Sequence, residues 1–240
     1  MASFFFEVFL WYDESMSSKF DPTLLAIHSY GSESALPIER LSLSFLRDRF
    51  QQEIDWLPEN TKESTLFNGD HFRPASVLLP LILRENGLHM LLTQRAAHLH
   101  HHGGQISFPG GRVDPDDISA EHTAVREAYE EIGLFEKQIE LLGRLPQYFT
   151  GTGFCVTPVV AIVHPPYEFS ADPVEVASIF EVPLAFLMNP DNHQLRELEM
   201  PETRDKRRFY AMPYEDYFIW GATAGILRNL FHFLRADKPE

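Results

Sequence analysis

A chain of 240 residues is long enough for one domain with a sizeable core plus an added N-terminal segment. Its 35 acidic against 20 basic side chains give a net charge of −15, which disfavours attraction to nucleic acid or to an anionic membrane and obliges any polyanionic ligand to meet local positive charge. The single cysteine, Cys155, excludes an internal disulfide and is compatible with a reducing, cytoplasmic setting.

In chain order, residues 1–73 read as an N-terminal extension. It opens on an apolar run, residues 1–12, interrupted by Glu7 and lacking a basic leader, too short to span a bilayer. Pro37 precedes an expected helix to about Gln52, and a polar loop follows at 58–64. Residues 74–236 read as the main domain. Strand-like runs at 77–83 and 88–93 flank the turn Glu85-Asn86-Gly87, which predicts a hairpin. A glycine turn, Phe108-Pro109-Gly110-Gly111, leads through Arg112 towards a helix that ends near Gly133. Strands are expected near 139–145, 156–163 and 174–182, then a short helix at Leu184–Leu187. Cys155 opens an apolar run and reads as a buried strand residue. The helix Ala222–Arg235 carries Ile226, Leu230 and Leu234 at every fourth position and should pack on the sheet.

The helix after the glycine turn carries the chemistry. Each helical step rotates by roughly 100°, so Glu127, Glu130 and Glu131 share one arc and Val125, Tyr129 and Ile132 the opposite one, which predicts a metal-binding face and a buried face. Clustered carboxylates raise each other's proton affinity unless a cation neutralises them, and hard oxygen ligands suit Mg²⁺ or Mn²⁺. Arg126, beside this face, is positioned to hold one carboxylate by a bidentate pair and so orient the others. Pro109 fixes one dihedral, and Gly110 and Gly111 let backbone approach metal and phosphate closely.

The run Arg126-Glu127-Ala128-Tyr129-Glu130-Glu131-Ile132-Gly133-Leu134 resembles the second half of the Nudix box, Gly-x5-Glu-x7-Arg-Glu-U-x-Glu-Glu-x-Gly-U, where U is bulky and aliphatic. The first half departs from it: Asp117 stands for the first Glu, eight residues separate it from Arg126, and Ala128 is small where bulk is usual. The same lengthening and Asp occur in the branch similar to coenzyme A diphosphatases. Upstream, Leu91-Leu92-Thr93-Gln94-Arg95-Ala96 and Gly104 through Gly111 match in register a second signature of that branch, which has Arg where this chain has His100. A mostly neutral imidazole has no fixed guanidinium fork, so this departure bears on coenzyme A specificity. The wider resemblance runs from about residue 76 to 234.

The resemblance implies an α/β fold, a Nudix-type α-β-α sandwich with a mixed sheet. It also implies divalent-metal-dependent hydrolysis of coenzyme A or a derivative to 3′,5′-ADP and 4′-phosphopantetheine. Metal would be held by Glu127, Glu130, Glu131 and Gly111, substrate by Arg95, His100, Gly104, Gly110, Gly111 and Arg112. The general base is left open between a box glutamate and Glu175, in the loop before an expected strand. Rival readings are a Nudix hydrolase for ADP-ribose, dinucleotides or nucleoside triphosphates, and a non-catalytic nucleotide-binding regulator. The basic cluster Arg204, Lys206, Arg207 and Arg208 reads first as a solvated hairpin. His98, His100, His101 and His102 read as a polar loop rather than a transition-metal site. A small nucleotide is the expected partner, and a homodimer is open.

Overall fold

The computed structural model describes residues 21–59, 67, 71–99, 103–199 and 206–237. The expected hairpin is formed by β2 (Arg73–Arg84) and β3 (Gly87–Arg95). β2 also runs parallel to β8 (Phe154–Val163), in register from Arg73 opposite Phe154 to Ile82 opposite Val163. β6 (Ile139–Arg144) and β7 (Tyr148–Phe149) add to β8, β4 (Ile106–Ser107) and β9 (Val176–Pro183) to β3, and β5 (Gly110–Arg112) to β2, all antiparallel. One parallel pair among antiparallel ones makes the sheet mixed.

Burial on both faces explains why residues 77–83 read as a continuous apolar run rather than an alternating one. Leu78 and Ile82 point to one side, where Ala124, Ala128 and Ile132 of helix α2 (Ala120–Ile132) cover them. Leu79 and Leu81 point to the other, into a larger core with Leu227, Leu230 and Phe231 of α4 (Ala222–Arg235) and Leu46 of α1 (Leu43–Phe50). Helices therefore lie on both faces of the sheet, an α-β-α sandwich. The expected helix of residues 184–187 is present as α3 (Leu184–Leu187).

A second sheet has the order β1 (Ile27–Tyr30), β10 (Gln194–Glu199), β11 (Lys206–Tyr214) and β12 (Tyr217–Trp220), all antiparallel. Sequence patterning did not reveal it. β1 is exposed along its whole length, and β11 begins with three cations that read as a solvated hairpin. In the structure Lys206 and Arg208 both pair with Glu197 across the β10–β11 ladder, at 2.7 and 2.9 Å, so that acid neutralises much of the cluster; Arg204 lies outside the described residues.

The extension joins this core. Arg228 of α4 donates to Glu33 and, at 2.9 Å, to Glu59, and its Nη1 donates to His193 Nδ1 at 3.2 Å. His193 Nε2 in turn donates to the Leu187 carbonyl at 2.6 Å, so the ring is neutral, with its proton on Nε2. Burial pushes the His193 pKa down to about 4, with the Arg228 charge acting in the same direction. Hydrogen bonds from His232, Tyr210 and Arg228 hold Glu59 down at about 2 against the opposing effect of burial.

These shifts set an expected acid sensitivity. An unfolded His titrates near ~6.5, so between that value and about 4 the unfolded chain binds the extra proton and the folded one does not. Stability is then full above the unfolded pKa and falls by about 2 kcal/mol on going from pH 8 to pH 5. Urea midpoints measured across that range for the protein and for His193→Gln should diverge, the variant showing the flatter profile. Parallel profiles would remove His193 as the source.

Candidate active site

Helix α2 starts where Ser119 Oγ accepts from the His122 N–H at 3.1 Å. It stops at Gly133, whose φ of 68° is left-handed and whose N–H caps Tyr129. Gly133→Ala is therefore expected to cost about 1 kcal/mol, read as a lower urea midpoint with unchanged m-value, because an L side chain is strained at positive φ.

The helix is not turned as the arc argument expected. Ile132 is buried, but Tyr129 is 52 % exposed and packs on Phe135 with ring centroids 5.3 Å apart, and Val125 is only half-buried. The buried stripe is instead Ala124, Ala128 and Ile132, flanked by Glu127 and Glu131. The small alanines let the helix approach the sheet closely, and that approach drives the two carboxylates inward against the glycine turn. The Gly110 N–H donates to Glu131 Oε2 at 3.2 Å. A Cβ placed on Gly111 would overlap the Glu127 carboxylate, and one on Gly110 would strike the Ser76 and Val77 backbone. Glu130 stands apart, exposed, with one oxygen 3.0 Å from Arg126 Nη1.

Arg126 organises this group more extensively than the sequence indicated. Its Nε and Nη2 grip Asp117 at 3.1 and 2.9 Å, Nη1 reaches Glu127 and Glu130 at 3.0 Å each, and Nη2 also donates to the Arg112 carbonyl at 3.1 Å. The bidentate partner is thus Asp117, the residue at which the box departs from its usual Glu. It is almost wholly buried and accepts further from the Asp114 N–H and the Thr123 hydroxyl. The Arg126 fork, followed by those two hydrogen bonds, holds its carboxyl well below the usual carboxylate range. Sequence reasoning had flagged Asp117 as a departure without giving it this role; its place nine residues before Arg126 gives no periodic signal.

The other anticipated residues close around the same turn. Arg95, at the end of β3, places Nη1 3.7 Å from Glu131 Oε1. Gly104 donates its N–H to the Arg95 carbonyl at 3.0 Å and closes the β3–β4 connection. The loop before β9 caps the end of α2, with the Ser170 and Asp172 N–H groups on the carbonyls of Ile132 and Glu131, and the Glu175 carbonyl accepts from the Ala96 N–H at 2.9 Å. Glu175 is thereby brought near enough for its charge to act on both Glu127 and Glu131. His98 lies in an exposed turn, and His100, His101 and His102 lie outside the described residues. Cys155 is half-buried on β8.

Electrostatics set what this group can do. Burial pushes Glu127 up to about 7 against the pull of Arg126, with Glu130 and Glu175 adding to the rise. Burial likewise pushes Glu131 up to about 8, opposed by Arg95 and reinforced by Glu127 and Glu175. Two buried carboxylates that resist ionising, bordering a turn with no side chain, form an oxygen-only donor set that suits a hard divalent cation. Among the described residues no three acidic or imidazole groups converge as a finished cage, since Glu130 is drawn off by Arg126.

A family profile described as the NUDIX domain matches residues 72–211. The chain belongs to the Nudix family. It is 40% identical over 188 residues to a protein of Escherichia coli (strain K12) named "Uncharacterized Nudix hydrolase NudL", covering 78% of this chain and 94% of that one. A namesake from Enterobacter sp. (strain 638) is 43% identical over 159 residues, covering 66% and 81%. A crystal structure of a Nudix hydrolase from M. smegmatis, RenU, matches 48% of this chain and 81% of that one at 26% identity, with a TM-score of 0.41. The protein is accordingly a Nudix hydrolase acting on phosphorus anhydrides, a group of enzymes that generally use divalent cations. Among the described residues no helix is long and apolar enough to cross a membrane.

Proposed function

We propose that this Nudix hydrolase cleaves the diphosphate of coenzyme A or a derivative to 3′,5′-ADP and 4′-phosphopantetheine, or its acyl form, with Mg²⁺ or Mn²⁺. The observation that carries the hydrolytic part is the burial of Glu127 and Glu131 against Gly110-Gly111, which raises the pKa of both even with Arg126 and Arg95 beside them, a cost that a bound divalent cation would offset. What favours coenzyme A is the in-register upstream signature, which sets Arg95 beside Glu131.

Glu127, Glu131 and the Gly111 carbonyl would hold the cation, with Glu130 joining them if it leaves Arg126. The cation, when bound, neutralises the diphosphate and lowers the pKa of water. Arg126 keeps Glu127 oriented through its anchor on Asp117 and so fixes the donor positions before substrate arrives. Arg95 lends positive charge on the same side, next to Glu131, where a diphosphate oxygen would otherwise meet only carboxylates. Glu175, held on a loop tied to both α2 and β3, is the candidate to take the proton of the attacking water.

The test is a panel of coenzyme A, ADP-ribose, NADH and nucleoside triphosphates with Mg²⁺ and with Mn²⁺, products identified by mass. Coenzyme A should give the highest kcat/KM, chelation should abolish turnover, and Arg95→Ala should raise KM more than it lowers kcat. A higher kcat/KM for ADP-ribose would overturn the substrate assignment, and His100 would be the first residue to explain it.

A further inference from the structure

Next to the carboxylate site, α2 and the loop before β9 border an open groove of about 560 Å³. Its floor is the ring pair Tyr129 and Phe135, whose centroids are 5.3 Å apart and which each keep about half of their surface in solvent. Its wall is the loop of residues 168–172, which the Ser170 and Asp172 N–H groups fix to the carbonyls of Ile132 and Glu131 at 2.9 Å each. The groove is therefore formed in advance. Single exposed aromatic residues are ordinary on a protein surface, but a packed pair inside a concavity that adjoins a reaction centre has the composition of a ligand site. Glu130 makes the junction: it lines the groove, and one of its oxygens lies 3.0 Å from Arg126 Nη1 in the site already described.

We propose that this groove receives the uncharged arm of the substrate, the pantetheine chain with any acyl group on its thiol, as that arm leaves the diphosphate past Glu130. Charge decides between the two arms of coenzyme A. Glu130, Glu168 and Asp172 line the groove, and among the described residues that line it none is a cation, so the arm bearing the 3′-phosphate would be repelled there. Lys137 lies over the Phe135 ring, 5.4 Å from its centroid, and is not part of the lining. The pantetheine chain carries no charge. Its two amide N–H groups are donors for carboxylates, and its methyl and methylene groups cover the aromatic surface that Tyr129 and Phe135 leave in water. These two residues then set specificity by touching the arm, apart from the carboxylates that serve the cation. The proposal rests on the coenzyme A reading.

The experiment uses the two expected products as probes, because each carries one arm. In calorimetry with Mg²⁺, Tyr129→Ala should weaken 4′-phosphopantetheine by ~10-fold and leave 3′,5′-ADP unchanged. The same variant should raise KM for coenzyme A by ~10-fold with kcat held within about twofold, and Tyr129→Phe, which restores the ring, should restore both binding and KM. Phe135→Leu should give a partial loss of the same kind and serves as the second variant if Tyr129→Ala does not fold. Equal losses for the two products, a loss confined to 3′,5′-ADP, no loss for either, or no binding of 4′-phosphopantetheine by the wild type overturns the subsite. If coenzyme A is not turned over but 4′-phosphopantetheine still binds through Tyr129, the substrate assignment fails and the subsite stands. If coenzyme A is turned over with an unchanged KM in both variants, the subsite fails and the assignment stands.

Discussion

Glu131→Gln is expected to lower kcat by at least ~100-fold while the protein folds normally, since loss of one electrostatic contact at a metal-assisted site costs several kcal/mol of transition-state stabilisation. The substitution preserves volume and burial, and the amide oxygen still accepts from the Gly110 N–H. What it removes is the charge. Because burial already pushes the Glu131 pKa up to about 8, the metal-free variant should melt no lower than the wild type, and it should bind Mn²⁺ more weakly. Lost activity together with retained or improved thermal stability would separate a ligand from a packing residue. Full activity in a folded variant would remove Glu131 from the chemistry.

Gly111→Ala should be of similar severity for a different reason. The added Cβ overlaps the Glu127 carboxylate, and the backbone cannot yield because β5 is paired with β2 at Ser76. Glu127 must swing away and strain its link to Arg126, so kcat should fall by roughly 100-fold through misplacement alone, with little loss of stability because the colliding atoms are the movable end of one side chain. Steady-state kinetics alongside urea denaturation check both. A fully active variant would mean that the contact between helix and turn is not required.

Much of this was legible in the chain because it was local. The hairpin around Glu85-Asn86-Gly87 and the helices Leu184–Leu187 and Ala222–Arg235 follow from short-range period and spacing. What was not legible depended on distant partners. Tyr129 was assigned inward by helical phase alone, yet the side of α2 that buries is decided by the sheet and the glycine turn, which admit alanine and glutamate in preference to a phenol ring. Asp117 shows its role only beside Arg126, and Arg73 acquires a neighbour in Phe154, more than eighty residues on, only through the parallel pairing of β2 with β8. The second sheet was missed although β12, Tyr217–Trp220, is apolar throughout: four residues carry little periodic signal, and β1 and the start of β11 are exposed or charged.

That second sheet bears on how the molecule assembles in time. β1, Ile27–Tyr30, completes its ladder only against β10, at Arg196, Leu195 and Gln194, and Glu33 and Glu59 meet Arg228 later still in the chain. During synthesis the first of these segments leaves the ribosome long before its partners exist, so the edge of β1 stays unpaired until β10 has been made. Closure over such sequence separations is slow, so the N-terminal region is expected to dock after the central sheet has formed, and the nascent chain to be most prone to aggregation in that interval.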